Sequence, residues 1–249
     1  MQDACTLILG GTSEASRLAE AMAAAGWPSI LSYAGRTEAP RAQPVPVRVG
    51  GFGGAEGLAR WLVAARITRV IDATHPFAAR ISANAVTACA RAGIPLLAVE
   101  RPAWRPGPGD RWTMVADLDG AVALLAGTPP GRVFLAIGRQ HLGVFAGLRH
   151  RFLVRLVDPP RAPLPLADCH VEIARGPFDE EGDRTLMERH RITCIVARNA
   201  GGAGAEAKLA AARALSLPVI LIARPPLPAR QVVASVAEVM ARLHADLGV

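Results

Sequence analysis

The 249-residue sequence predicts an α/β protein made of two small doubly wound, Rossmann-like domains with mostly parallel sheets and a cleft between them. Three observations carry this prediction. Short apolar runs alternate with helix-period segments along the whole chain, the pattern of a parallel sheet with helical crossovers. The first apolar run, in "LILGGTSEAS" (residues 7–16), ends in two glycines and then in hydroxyl residues that open a helix, as nucleotide-binding folds do. A Pro- and Gly-rich break, "AGTPPGR" (residues 126–132), divides the alternation into two series.

In the first series, strands are expected at residues 6–9, 29–32, 45–49, 69–72 and 95–99. Helices are expected at 14–25, 56–65 and 79–92. The last of these places Ile81, Ala85, Ala88 and Ala92 on one face, with Gly93 where a C-cap belongs. A helix at 118–125 leads into the break, so a first, NADP-binding domain is expected at 1–127 and a second at 128–249. In the second series, strands are expected at 133–136, 152–157, 171–174, 193–196 and 219–222, and helices at 179–190, 205–215 and 231–247. The stretch 158–169 is Pro-rich and reads as an irregular loop.

Half of the residues are apolar, enough for a substantial core, and no apolar run is long enough to span a bilayer. The first residues lack the basic and apolar regions of a secretory signal, so a cytoplasmic protein without membrane contact is expected. The four cysteines form no CxxC pair and read as free thiols. The six histidines show no zinc spacing, so no metal is expected. The net charge is +7, and Lys208 is the single lysine among 28 basic residues. Arginine favours bidentate recognition of carboxylate or phosphate. That excess suits either nucleic acid or a small substrate with many carboxylates. Aromatics, at 4%, are too few for a single-strand stacking platform. The basic residues also spread through strand-end loops instead of lining one helix face. Nucleic-acid binding is therefore not expected.

The opening loop places Gly10, Thr12 and Ala15 at the three small-residue positions of the dinucleotide fingerprint G-x-G-x-x-G/A. Thr12 departs from the pattern, but a hydroxyl there can itself bond a phosphate. Thr12 and Ser13 can also cap the following helix, whose first N–H groups and dipole form an anion site. Gly10, Gly11, Thr12 and Ser13 are thus expected to hold a diphosphate. At the end of the next strand, "SYAGRTE" (residues 32–38) lacks the acid that accepts from a ribose 2′-OH in NAD-binding members. Arg36 and Thr37 stand there instead and favour NADP(H). In "VIDATHPFAARISANA" (residues 70–85) a strand ends at Asp72, and Thr74 and His75 fall at the carboxyl edge where α/β ligands bind. Tyr33 is the only tyrosine, so the Y-x-x-x-K pair of short-chain dehydrogenases is absent.

Together with the opening loop, residues 70–85 resemble the precorrin-6A reductases, NADPH-dependent enzymes of cobalamin biosynthesis. Four further segments fit that family in order: "ERPAW" (100–104), "AIGRQHL" (136–142), "RGPF" (175–178) and "NAGGAGAEAKLAAARAL" (199–215). One departure stands out. The family commonly has Lys-Asp-Ser before the double glycine, where this chain has Arg198, Asn199 and Ala200. The resemblance implies reduction of one double bond of the precorrin-6A macrocycle to give precorrin-6B, with hydride from NADPH. Such a tetrapyrrole is ringed by acetate and propionate groups. Arg80, Arg101, Arg139, Arg175, Arg198 and Lys208 are then expected on its carboxylates, and Gly201, Gly202 and Gly204 as a backbone nest for an anion. Thr74 is expected on the cofactor. His75 is expected near the nicotinamide or as proton donor. The resemblance also suggests a monomer with transient contacts to neighbouring pathway enzymes. Two alternatives stay open: another NADP-dependent reductase of a polycarboxylate, and a non-catalytic NADP-binding sensor. The sensor would not need the second domain's glycine-rich loop or its arginines.

Overall fold

The structure, a computed structural model, describes residues 5–35 and 42–247. In chain order the first elements are β1 (Cys5–Leu9), α1 (Ser13–Ala24), β2 (Ser29–Tyr33), β3 (Val47–Val49), α2 (Gly54–Ala64), β4 (Ile67–Asp72), α3 (Ala79–Ala92) and β5 (Leu96–Val99). Next come β6 (Arg111–Val115), α4 (Leu118–Ala126), β7 (Arg132–Ala136), β8 (Arg151–Leu156), β9 (Cys169–Ile173) and α5 (Glu180–Arg189). The chain ends with β10 (Cys194–Arg198), α6 (Ala207–Ala214), β11 (Pro218–Ile222), β12 (Gln231–Val233) and α7 (Val236–Leu247).

These elements form two six-stranded sheets, ordered β3-β2-β1-β4-β5-β12 and β9-β8-β7-β10-β11-β6. Every neighbouring pair is parallel. Both orders reverse direction beside the first strand, between β1 and β4 and between β7 and β10, which makes both sheets doubly wound.

In unit 1, β1 is buried along both faces, Thr6 included, because both faces of its sheet are covered. Ile8 packs with Leu18 and Met22 of α1 and Val239 and Leu243 of α7. Leu7 and Leu9 face the other way, onto Leu58 and Leu62 of α2 and Ala85 and Ala88 of α3. In unit 2, Phe134, Ile195, Val219 and Leu221 pack against Leu186 and Met187 of α5 and Leu209 and Ala212 of α6.

The boundary differs from the expected one at 127/128. Unit 1 is Met1–Pro102 with Pro226–Val249, and unit 2 is Ala103–Pro225. β6 pairs with β11 from Arg111↔Pro218 to Val115↔Ile222, so β6 and α4 belong to unit 2 and the Pro/Gly break is a loop inside it. β12 pairs with β5, so the last segment returns to unit 1 as its outer strand. Proline and glycine mark loops. Unit membership is decided by ladder partners more than a hundred residues away.

The expected helix at 231–247 is corrected for the same reason: residues 231–233 are β12. The helix starts only after Ser235. The Ser235 hydroxyl accepts from Glu238 N at 3.2 Å, and the Glu238 carboxylate accepts from Ser235 Oγ at 2.9 Å and from Ala234 N at 3.1 Å. That is a variant of the capping box in which the glutamate reaches the N–H of the residue before the cap. β6 was missed because it is a short edge strand without a fully buried residue, and its Arg-Trp-Thr-Met alternation follows directly on a Pro- and Gly-rich stretch.

Candidate functional site

The opening loop leaves β1 at its carboxyl end and passes close over β2. A Cβ on Gly10 would lie 2.7 Å from Leu31 Cδ1 and 3.3 Å from Ser32 O, so a larger residue would have to displace the buried Leu31 side chain. Gly11 has φ +115° and open space on its side-chain side. Thr12 is the N-cap of α1 and accepts from Ala15 N at 3.2 Å. Its hydroxyl donates to Ala73 O at 2.6 Å. The single hydroxyl hydrogen therefore ties the β1 loop to the β4 loop, and the expected Thr12 hydroxyl–phosphate bond has no proton to use. What this junction offers an anion is backbone N–H and the dipole of α1.

Ser13 Oγ donates to Glu14 Oε2 at 3.1 Å. Burial alone would raise the Glu14 carboxyl. Its own backbone N–H, the Arg101 charge, the Ser13 hydroxyl and Arg17 outweigh that and hold it below its usual value. Arg101 Nη1 lies 2.7 Å from Glu14 Oε2, with both side chains largely covered. Arg101, expected on the substrate, is thus bound to the first turn of α1.

Beside this loop lies a cavity of about 510 Å³, bounded by the ends of β1, β2, β3 and β4 and the start of α3. Ser32, Gly50, Phe52, Thr74 and Arg80 line it. The "GGFGG" stretch (residues 50–54) that forms one wall was not singled out in the sequence. Its signal was legible as two glycine pairs directly after a strand. Gly50, Gly53 and Gly54 have φ of +121°, +77° and +90°. Arg48 holds the turn, donating to Gly50 O at 2.6 Å and Gly51 O at 2.7 Å.

Thr74 N and Oγ1 donate to Asp72 Oδ1 at 3.1 and 2.7 Å. Asp72 is 3% exposed, and its Oδ2 is buried without a hydrogen-bond partner. His75 Nδ1 accepts from Phe77 N at 3.2 Å, which leaves the proton of the neutral ring on Nε2. To act as an imidazolium acid it would have to give up that bond. Arg36 and Thr37 lie outside the described residues.

In unit 2 the loop after β10 is fastened inward. Asn199 Oδ1 accepts from Trp104 N at 2.8 Å, and its Nδ2 donates to Trp104 O at 3.0 Å. Trp104 Nε1 donates to Gly202 O at 3.1 Å. Arg224 donates to Asn199 O and Ala200 O. Lys208 lies 5.1 Å from the centre of the Trp104 ring and donates to Ala205 O. Asn199 therefore has a use of its own, since an aspartate could accept from Trp104 N but not donate to its carbonyl.

Gly201 and Gly202 have φ of +68° and +74°, while Gly204 sits in a short 3-10 turn, Ala203–Ala205. Arg175 faces Asp158 at 3.8 Å. Arg198 ends β10, with its guanidinium beside Gly138, and exposed Arg139 opens the turn after β7. Arg139 and Arg198 are therefore the cations placed at the carboxyl edge of unit 2 beside its switch point.

Burial raises the Cys194 thiol to about 11, and burial with the Asp72 charge does the same for Cys89. Cys5 and Cys169 are also raised. None of these thiols is an activated nucleophile at neutral pH. Among the described residues, His170, Glu172 and His190 bring three ligand atoms within 4.8 Å of one another. Sequence spacing missed them because they come from β9 and the end of α5. Arg189 already holds Glu172 at 3.2 Å.

A doubly wound parallel sheet with a capped helix and a glycine-walled cavity at its carboxyl edge defines a nucleotide-binding α/β protein. The lack of an activated thiolate suits chemistry carried by a bound cofactor. The family model described as precorrin-6x reductase CbiJ/CobK matches residues 6–244, and the chain belongs to that family. It is an oxidoreductase of cobalamin biosynthesis, and its reductase class implies a nicotinamide cofactor. The chain is 58% identical over 243 residues to the precorrin-6A reductase of Rhodobacter capsulatus, covering 97% of this chain and 96% of that one. It is 40% identical to the precorrin-6A reductase of Mycobacterium tuberculosis, covering 90% of each. It is 31% identical to the cobalt-precorrin-6A reductase of Priestia megaterium, covering 88% and 90%. A solved CobK precorrin-6A reductase matches with a TM-score of 0.92 at 56% identity, covering 98% and 97%. Among the described residues no helix is long and apolar enough to cross a membrane.

Proposed function

We propose that this chain reduces one double bond of metal-free precorrin-6A to give precorrin-6B, using NADPH. The observation that carries the cofactor reading is the carboxyl edge of unit 1. A capped helix start and a glycine-walled cavity meet there, and β2 ends in Ser32 and Tyr33 with no acid to accept from a ribose 2′-OH. The metal-free substrate follows the relatives. Those at 40–58% identity are named precorrin-6A reductases, and the one at 31% a cobalt-precorrin-6A reductase.

NADPH supplies the hydride when bound. The N–H groups of Gly11, Thr12 and Ser13 would hold its diphosphate, Gly10 lets the loop pass β2, and Arg36 and Thr37, by their place in the sequence, are assigned to the 2′-phosphate. Thr74, locked onto Asp72, shapes the wall beside it. His75 Nε2–H donates a hydrogen bond and positions a reacting group. Arg139 and Arg198 take macrocycle carboxylates, and the net charge of +7 steers the polyanion in. The reaction takes place in the cytoplasm on a small-molecule tetrapyrrole, in a monomer that contacts neighbouring pathway enzymes only transiently and binds neither nucleic acid nor membrane.

The test is an anaerobic assay with precorrin-6A and either NADPH or NADH. NADPH is expected to be consumed one for one with macrocycle, and NADH at least about tenfold less efficiently. KM for the macrocycle is expected to rise with ionic strength. Failure of both nucleotides to bind, or preferential reduction of the cobalt-loaded macrocycle, would overturn this reading.

A further inference from the structure

We infer that Arg48 is a specificity-determining residue for the cofactor: bonded to Ser32 Oγ and to the Gly50 and Gly51 carbonyls, it places a positive charge directly behind the cavity wall at the end of β2, where the ribose 2′-phosphate would lie. This rests on the NADPH reading above.

Arg48 lies on β3 directly opposite Ser32 on β2. Its neighbours Val47 and Val49 point outward and are 43% and 57% exposed, while Arg48 turns to the opposite face of the sheet. Its guanidinium lies 3.8 Å from the centre of the Phe52 ring and 5.5 Å from that of Trp61. It donates to Gly50 O, Gly51 O and, at 3.4 Å, Ser32 Oγ. All three acceptors are neutral, and among the described residues no carboxylate pairs with it.

Three other arginines with largely covered side chains differ. Arg101 has Glu14, Arg155 has Asp183, and Arg230 has Glu100. A partly buried cation without a counter-charge is costly to keep, and desolvation does pull the Arg48 pKa below its ordinary value. The cost is offset if a ligand brings the missing negative charge.

The place and the donors fit a phosphate. Ser32 is 5% exposed and lines the cavity together with Gly50, Gly51 and Phe52. Its oxygen accepts from Arg48, so its own hydrogen is left to donate. Three of the five guanidinium N–H groups are used by the neutral oxygens, which leaves two. An acid at the end of this strand would accept from a 2′-hydroxyl. A set that only donates matches a 2′-phosphate instead.

The competing account is that Arg48 merely braces the Gly50–Gly51 turn. Titration calorimetry separates the two, using NADP⁺, NAD⁺, 2′,5′-ADP and 5′-AMP on the full chain. The proteins are the wild type, Arg48→Met, Arg48→Lys and Ser32→Ala. Arg48→Met is expected to weaken NADP⁺ and 2′,5′-ADP by about tenfold or more while NAD⁺ and 5′-AMP stay within about threefold. Arg48→Lys should keep part of the preference, and Ser32→Ala should lose a smaller part. Equal weakening of all four ligands would overturn the proposal and leave only the bracing role. A wild-type preference for NADP⁺ that survives in Arg48→Met also overturns it but spares the cofactor reading. A wild type with no preference overturns both. If Arg48→Met does not fold, the Arg48→Lys and Ser32→Ala ratios decide.

Discussion

Five strands of each unit share one sheet order, β3-β2-β1-β4-β5 and β9-β8-β7-β10-β11, and the loops at their switch points are built for different work. After β1 the chain turns through Gly10 and Gly11 into a twelve-residue helix capped by Thr12. After β7 it enters a seven-residue 3-10 turn with no side-chain cap. The glycines after β3 wall a cavity. The loop after β10, also glycine-rich, is held down by Trp104, Asn199 and Arg224. Two glycine-rich loops on the same topology thus have opposite fates, one walling a cavity and one fixing the protein to itself. Topology supplies the edge, and the residues around each loop decide what happens there.

The largest expected effect comes from breaking the unit 1 loop. Gly11 sits at φ +115°, where a side chain is strained. Gly11→Val should weaken NADPH binding by about a hundredfold, or about 3 kcal/mol, read by nucleotide fluorescence. The denaturant midpoint of unit 2 should stay where it is. A comparable loss of nucleotide binding on Gly202→Val would erase the contrast between the loops.

A smaller effect is expected from Asn199→Leu. It leaves Trp104 N and O without their partners in a buried site, which should cost about 2 kcal/mol of stability in a urea titration. NADPH affinity should be unchanged. Loss of nucleotide affinity would mean that the loop after β10 belongs to the cofactor site after all.

The smallest is a pH effect in unit 2. Burial would raise the Asp110 carboxyl, but hydrogen bonds from Arg213 and Gly107 N and the Arg213 charge hold it below its usual value. A lowered folded-state pKa stabilises above the unfolded value of about 3.9. That contribution is lost as pH falls through the lower folded value. Arg213 is 44% exposed, so solvent screening limits the pair to below about 1 kcal/mol. Asp110→Asn should lower Tm slightly at pH 7, with the difference from wild type shrinking toward pH 3.

Much of this was legible in the chain. Periodicity located most of the strands and helices because each buried strand and each one-sided helix has its own repeat. The opening loop was legible because turn, cap and first helical turn are local. The functions of individual cations were not. Arg101 meets Glu14 across 87 residues and Lys208 stacks on Trp104, and no spacing rule relates such pairs. Arg48 was overlooked since a single arginine in a short strand carries no pattern; only the fold shows that, among the described residues, its partners are all neutral oxygens.

The sequence by itself determined the α/β class, the capped glycine turn after β1 and the excess of arginine over acid, all properties of neighbouring residues or of composition. Only the tertiary structure decided which unit owns β6 and β12, that the Thr12 hydroxyl is spent on Ala73, and that Arg101, Arg155 and Arg230 are paired with carboxylates. Ladder pairing, hydrogen-bond satisfaction and charge compensation are relations between groups far apart in the chain, and they take a value only once the fold brings those groups together.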